Sequence, residues 1–534
     1  MTMLSVLKLN YMGGEIMYAK LHGASITGIS GNITDIEVDI ANGLPQIQIV
    51  GLPDSAIREA KERVRAAIKN SGFPFPNKRI TINLAPADIK KEGAGYDLPL
   101  AVGILLAEQL VVPSITLNIE KILFIGELSL DGSLQPIQGT LASAIAAKKN
   151  QFQTMILPQQ NMKEAMLIDG INVFGFSHLK EIVQFLQDGS MTEMELSAIN
   201  HKNIREQIDA GNIDDFADIM GQQQVKRAIT VAVAGMHNLL MIGPPGSGKS
   251  MIAKRIPHIL PRLEWDEVIQ VANIYSVAGY GLQLNQLYQR PFRQPHHSIT
   301  TTGLIGGGAS PKPGEISLAH RGVLFLDELT EYPKTVLESL RQPLEDGKVN
   351  INRVKTSVEY PADFLLVAAM NPCSCGYYGS NVPNHSCQCA AWEIQRYRSK
   401  ISGPLLDRID VQVEVPWVNI ETLRNDQKSQ TTKEMEEIIS KAIQIQQERF
   451  KEEGIMFNSE MNSKQVKKYC KLDSDSEQVL IQSFNLLGFS GRSLDKILKV
   501  SRTIADINGS DTIRPLHIAE AINYRAIDKK QDIN

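Results

Sequence analysis

Eight residues behind a short apolar run constrain the fold of this chain more than any bulk property does. Gly243-Pro244-Pro245-Gly246-Ser247-Gly248-Lys249-Ser250 follow the run Leu239–Ile242 directly and lead into the helical stretch Met251–Ile256. A G-x-x-x-x-G-K-[ST] pattern so flanked is a strand, a phosphate-binding loop and a helix, the opening unit of a doubly wound α/β domain. Its glycines let backbone N–H groups turn inward around phosphate oxygens, and the helix N-terminus adds a favourable dipole. Lys249 reaches the outer phosphates, and the Ser250 hydroxyl can ligate Mg²⁺. ATP and Mg²⁺ are therefore the expected ligands. The competing reading is a plain glycine-rich turn, and the completeness of the pattern weighs against it.

Two further apolar runs end in polar residues. Val323–Leu326 ends at Asp327-Glu328, and Phe364–Ala369 leads through Met370 to Asn371. Strand ends in open α/β sheets are where ligand chemistry collects. Asp327 is expected to hold the Mg²⁺ water shell. Glu328 is expected to orient or deprotonate the attacking water, a contribution of about 10²–10⁴-fold. Asn371 either positions that water or is a turn residue before Pro372.

At 534 residues the chain exceeds one hydrophobic core. Before the loop, β-type runs such as Ile36–Ile40, Ile47–Ile49 and Ile80–Leu84 alternate with expected helices at Pro53–Asn70, Leu98–Leu110 and Gly139–Lys149. These runs define an α/β domain over 17–188. A polar stretch at 189–210 reads as a linker, 211–418 as the doubly wound core, and 419–534 as a helical lid, with helices expected at Lys433–Lys451, Ser474–Leu487 and Ser493–Asn508. Residues 1–16 read as a leader, with Met17 the expected start. The net charge of −4 gives no whole-chain argument for nucleic acid, though a local basic strip would not show in that sum. No apolar run is long enough to cross a bilayer and no signal-peptide pattern opens the chain, so a cytoplasmic protein with no membrane partner is expected.

Taken together, these residues resemble AAA+ ATPases, and in particular the magnesium-chelatase-like group named ComM or YifB. The resemblance runs from Met17 over nearly the whole chain. It rests also on Asn-Gly-Leu-Pro at 42–45, Val-Gly-Leu-Pro-Asp at 50–54, Arg-Pro-Phe-Arg-Gln-Pro-His-His at 290–297, Asn-Pro-Cys-Ser-Cys-Gly at 371–376 and Ser-Gly-Pro-Leu-Leu-Asp-Arg-Ile-Asp at 402–410. It implies a homo-hexameric ring with Asn371 as sensor 1, Arg408 as the finger reaching a neighbour's γ-phosphate and Arg492 as sensor 2. A permanent planar cation suits those arginine roles. Arg396 and Arg398 are alternative fingers, and pairing of Arg408 to Asp407 or Asp410 is the competing structural reading.

The N-terminal domain resembles the proteolytic domain of Lon, an α/β fold also found in ribosomal proteins. Gly95 stands where the serine nucleophile would be, and Leu141 and Ser143 where the lysine would be needed, so an inactive domain is expected.

Cys373, Cys375, Cys387 and Cys389 form two C-x-C pairs around a Gly/Pro/Asn-rich loop, and four thiolates can close a tetrahedral Zn²⁺ site; His385 is an alternative ligand, and reduced free cysteines the competing reading. Residues 345–364 read as a hairpin carrying Lys348, Arg353 and Lys355, which in the helicase-like branch would line a pore and bind DNA without sequence preference. A second insert at Thr300–Gly308 reads as a pore loop, and for both inserts the competing reading is a plain exposed loop. The adjacent His296 and His297 do not share a face on an extended Pro-flanked segment, and are assigned to packing or intersubunit contact.

The resemblance thus implies a DNA-translocating helicase that drives branch migration of single-stranded or branched DNA in recombination and natural transformation. The alternatives are the motor of a magnesium-chelatase-type complex, and an ATP-switched regulatory or unfoldase-like assembly.

Overall fold

The computed structural model of the protein describes residues 17–87, 91, 93–189, 214–281, 287–308, 310–352, 357–419, 429–487 and 491–525. The expected leader, 1–16, and all but the first residue of the expected linker, 189–210, lie outside the described residues. The described chain divides into two units, one of residues 17–189 with 272–281, the other of 214–271 with 287–525. Both are α/β, as expected.

In the first unit, β1 (Met17–Thr27) and β2 (Ser30–Ala41) form an antiparallel hairpin that turns at Gly28, whose φ of 62° favours glycine. Then come β3 (Gln46–Val50), β4 (Arg79–Ala85), β5 (Ile122–Phe124), a small hairpin of β6 (Glu127–Leu128) and β7 (Leu134–Gln135), β8 (Thr154–Pro158) and β9 (Asn172–Phe176). The sheet order is β3-β4-β2-β1-β5-β8-β9. Asp54 accepts a hydrogen bond from the Ile57 N–H at 2.8 Å and so starts the helix Ser55–Asn70. That helix buries Ile57, Ala60, Val64, Ala67 and Ile68 along one stripe. Residues 272–281 belong to this unit although they follow the phosphate loop in sequence. Asn273 Nδ2 donates to the Ile29 carbonyl at 2.8 Å, and the Gly139 N–H donates to the Ser276 carbonyl at 3.1 Å.

The second unit holds β10 (Leu239–Ile242), β11 (Phe292–Arg293), the short pair β12 (Gly306–Gly307) and β13 (Lys312–Pro313), β14 (Val323–Leu326), the hairpin β15 (Lys348–Asn352) and β16 (Ser357–Pro361), β17 (Leu365–Met370) and β18 (Val411–Glu414). Five of these make a wholly parallel sheet in the order β11-β14-β17-β10-β18. Every residue of β10, β14 and β17 is buried, as strands covered on both faces require. Register pairs Ile242 with Met370 and Leu326 with Ala368, so the chain leaves β10, β14 and β17 at one common edge.

The helices Thr432–Arg449 and Gly491–Ile507 share a hydrophobic core with that sheet: Met435, Ile439, Ile443, Val500 and Ile504 pack in the same cluster as Leu239, Val367 and Val411. Thr431 begins the first of them with a capping box, accepting from the Glu434 N–H at 3.2 Å while Glu434 accepts from the Thr431 N–H at 2.9 Å.

Candidate nucleotide site

The helix Lys249–Ile259 starts two residues earlier than the sequence pattern alone suggests, because Gly248, at φ 87°, turns the chain straight into it. Gly246 is likewise left-handed at φ 76°. A Cβ at Gly246 would meet nothing within 4 Å, and one at Gly248 only the Met251 Cε at 3.6 Å, so the loop is an open cradle. The Ser247 hydroxyl oxygen is buried there with no hydrogen-bond partner among the described residues. An unsatisfied buried hydroxyl beside an open loop of glycines fits a phosphate group.

Lys249 is buried in this cradle, and its Nζ donates to the carbonyls of Gly243 and Pro244 at 2.7 and 3.0 Å and to Asn371 Oδ1 at 3.3 Å. Burial lowers its pKa, while the charges of Asp327 and Glu328 act in the opposite direction. An ammonium held by three neutral oxygens can exchange them for phosphate oxygens at little cost in geometry. The Ser250 hydroxyl donates to Asp327 Oδ2 at 2.6 Å, and the Glu328 N–H donates to Asp327 Oδ1 at 3.0 Å. The two oxygens suited to Mg²⁺ and its water shell are thus already adjacent, which is the arrangement a hard cation needs.

Glu328 takes a left-handed backbone, φ 51° and ψ 49°, which costs a residue with a side chain on the order of 1–3 kcal/mol. This turn directs the carboxylate off the strand end, where it is more than half exposed and lies 3.6 Å from His297 Nδ1. Sequence reasoning missed His297. The rings of His296 and His297 stand 4.0 Å apart, centroid to centroid, so the expectation that the two histidines point apart does not hold. The reason is local. Tyr332 donates its hydroxyl to the Pro295 carbonyl at 2.6 Å and its ring meets that of His297 in a T-shaped contact, which fixes the segment after β11 beside the end of β14. The available signal was parallel pairing: Arg-Pro-Phe-Arg-Gln-Pro-His-His crosses an edge strand whose register partner leads to Asp327-Glu328.

Other candidate residues occupy varied settings. Arg408 pairs neither with Asp407 nor with Asp410; it forms an ion pair with Glu345 and donates to the carbonyls of Arg341 at 3.1 Å and Pro404 at 2.7 Å. Asp410 instead accepts from Lys496 at 2.7 Å and lies 3.4 Å from His237. Burial pushes the Asp410 carboxyl up, but Lys496 and His237 outweigh it and hold the group well below the usual carboxylate range. Arg398 donates to the Pro372 carbonyl at 3.2 Å and lies over the Tyr378 ring, whereas Arg396 is exposed. Arg492 is the second residue of the helix Gly491–Ile507. Lys348 on the hairpin faces Glu359 at 2.9 Å, and Arg353 and Lys355 lie outside the described residues.

The sulfurs of Cys373, Cys375, Cys387 and Cys389 all lie within 4.8 Å of one another, a grouping that can hold a metal ion. His385 stacks flat on Tyr377, 4.6 Å between centroids, and is not part of that group.

Residues 36–161 match the family described as subunit ChlI of Mg-chelatase, 215–423 the family described as magnesium chelatase, subunit ChlI, and 429–525 its C-terminal family. The chain is 41% identical to the competence protein ComM of Haemophilus influenzae over 95% of its own length and 97% of that protein. It is 39% identical to the YifB protein of Escherichia coli over 95% and 97% of the two chains. The magnesium-chelatase 38 kDa subunit of Rhodobacter capsulatus is 25% identical over 29% of this chain and 50% of that one. With a phosphate loop, a paired Ser250 and Asp327 and a strand-end Glu328 converging on one sheet edge, and with full-length relatives near 40% identity, the chain belongs to the ComM/YifB family of magnesium-chelatase-like AAA+ proteins.

Proposed function

We propose that this protein is an ATPase that hydrolyses ATP with Mg²⁺ as a hexameric ring and couples hydrolysis to translocation on DNA, promoting branch migration in recombination and natural transformation. The observation that carries the ATPase reading is the convergence of Lys249, Ser250, Asp327, Glu328 and Asn371 on the common end of β10, β14 and β17. Mg²⁺, held by Ser250 and Asp327, would supply positive charge against the phosphates. Lys249 orients the outer phosphates, Ser250 and Asp327 hold the metal and its water, Asn371 places the attacking water, and Glu328 takes its proton. Arg408, released from Glu345, completes the site of a neighbouring subunit, and Arg492 on the first turn of its helix acts as sensor 2 from the lid. A structural Zn²⁺ at the four cysteines accompanies ATP and Mg²⁺.

The DNA reading is supported by the printed name of the Haemophilus influenzae relative, which ties it to competence, and by the hairpin of β15 and β16. The N-terminal unit is on this reading a Lon-like scaffold without peptidase chemistry: Gly95 offers no nucleophile, and the Ser143 hydroxyl is buried and donates to the Gly139 carbonyl. The test is ATPase activity of the purified chain with single-stranded DNA, branched DNA or no DNA. Hydrolysis stimulated by branched DNA, and lost with branch movement in Glu328→Gln, is the expected result. Branch movement by Glu328→Gln as fast as by the wild type would remove the mechanism. Stimulation only by a porphyrin with a chelatase partner would favour the second reading, a chelatase-type motor, to which the matched ChlI families point.

A further inference from the structure

The loop after β17 is built around four sulfurs. Cys373 Sγ lies 3.3 Å from Cys375 Sγ and 3.7 Å from Cys387 Sγ, Cys375 and Cys387 are 3.6 Å apart, and all four sulfurs fall within 4.8 Å. Zn–S bonds of about 2.3 Å in a tetrahedron put neighbouring sulfurs about 3.8 Å apart. Disulfides would instead draw the sulfurs together in pairs at about 2.0 Å. The spacing therefore has the size of a metal cage and not of two cross-links. The Tyr378 N–H donates to Cys373 Sγ at 3.3 Å, the kind of outer hydrogen bond that orients a thiolate ligand.

This cage adjoins the nucleotide site on two sides. Cys373 is buried and only two residues beyond Asn371, the acceptor of the Lys249 ammonium. Gly376, next to Cys375, sits at φ 89° with the position of its missing Cβ 2.8 Å from the Pro245 Cδ of the phosphate loop. Arg398 adds a brace, donating to the Pro372 carbonyl and lying over Tyr378. Of the 15 residues between Cys373 and Cys389, eight are Gly, Pro, Asn or Ser, so the loop has limited apolar surface with which to offset its ordering entropy.

We propose that Cys373, Cys375, Cys387 and Cys389 bind one Zn²⁺ as thiolates, and that this ion clamps the loop against Pro245 and Asn371 so that ATP binding depends on metal loading. The clamp rests on the reading of Lys249 and Ser250 as an ATP site; the metal cage does not. On binding, the thiols release their protons to solvent and no redox change occurs.

The test uses the full chain purified under reducing conditions. Metal analysis is expected to give one zinc per chain, and replacement by Co²⁺ to give the intense thiolate-to-cobalt absorption of a tetrahedral site. Cys389→Ser and Cys387→Ser are expected to lose the ion. Stripping zinc from the wild type with a thiol-directed mercurial, then restoring it with dithiothreitol and Zn²⁺, is expected to weaken binding of a non-hydrolysable ATP analogue at least tenfold and then recover it. Because the cysteine variants can misfold, the reversible stripping is the deciding arm, with circular dichroism to follow the fold. Absence of zinc that added Zn²⁺ cannot supply would overturn the site. Zinc present, but nucleotide affinity unchanged on its removal, would overturn the clamp. Gly376→Ala, whose methyl would press on Pro245, is expected to weaken nucleotide binding with zinc content unchanged; unaltered affinity in that variant also counts against the clamp. A chain that carries zinc yet hydrolyses no ATP would remove the functional reading and leave the cage standing.

Discussion

The ion pair of Asp410 and Lys496 ties the Leu-Leu-Asp-Arg-Ile-Asp segment to the helix Gly491–Ile507, and its removal offers a quantitative test of how that helix is held. The Asp410 and Lys496 side chains are only 13% and 20% exposed, and His237, fully buried, lies on the carboxylate's other oxygen. Asp410→Ala leaves a mostly buried ammonium and imidazole without their acceptor, a loss of about 3–5 kcal/mol for fully buried pairs. Partial exposure of both partners places the value near the lower end, about 3 kcal/mol. A cooperative unit of about 300 residues unfolds with an entropy near 0.6 kcal/mol/K, so the transition should fall by about 5 °C. Asp410→Asn, which loses the charge but keeps an acceptor oxygen for one of the two partners, should lose less. Lys496→Met strands the carboxylate instead, and the double variant Asp410→Asn/Lys496→Met should recover at least about 1 kcal/mol of the summed losses. The pH dependence has a definite sign. A carboxyl held below its unfolded value contributes stability that is fully present above the unfolded pKa of about 4 and is lost as pH falls through the lower folded value. The gap between wild type and Asp410→Asn should thus be level at neutral pH and close only in acid well below pH 4. Thermal melts by circular dichroism at several pH values read all of this. A melting point of Asp410→Ala within 1 °C of wild type, or a gap that closes between pH 5 and 7, would refute the reasoning.

Two perturbations address the site itself. His297→Ala removes the neighbour 3.6 Å from Glu328 without touching the phosphate loop, so the turnover number should fall about tenfold, or about 1.4 kcal/mol, while KM for ATP stays within twofold; His297→Asn should recover part of the rate. A rise in KM with the turnover number intact would mean that His297 merely packs. Arg408→Ala should cost about 10³-fold or more in turnover with ATP still bound, and mixing it with Lys249→Ala chains should restore activity, because some interfaces then join an intact loop to an intact arginine. Failure of mixing to restore any activity would reassign the finger, with exposed Arg396 the next residue to test.

What the amino-acid order disclosed depended on how local each interaction is. The phosphate loop was legible because strand, glycines, Lys249 and Ser250 are contiguous, and the parallel sheet because β10, β14 and β17 are short uninterrupted apolar runs. Helix positions followed from apolar spacing, and their ends shifted by a residue or two where caps such as Asp54 and Thr431, or a left-handed Gly248, set the true start. The assignment of residues 272–281 to the first unit was not legible, since the contacts that place it there, among them those of Asn273 and Ser276, reach residues more than a hundred positions earlier.

The partner of Arg408 illustrates the same limit in the site. From the order of residues, Asp407 and Asp410 are its nearest carboxylates, yet after a short helical turn over Gly403–Leu406 Asp410 stands just before β18 and pairs with Lys496 while Arg408 pairs with Glu345. The separation has a consequence for the ring reading. Asp410 is committed to a pair buried on both sides, whereas Glu345 is well exposed and can turn to solvent, leaving the mostly buried Arg408 on the carbonyls of Arg341 and Pro404. Replacing Glu345 by Gln should therefore leave the fold intact and, if Arg408 works on a neighbour's nucleotide, leave turnover unchanged or raise it. A fall in turnover parallel to that of Arg408→Ala would show instead that the Glu345 pair holds Arg408 in its working position.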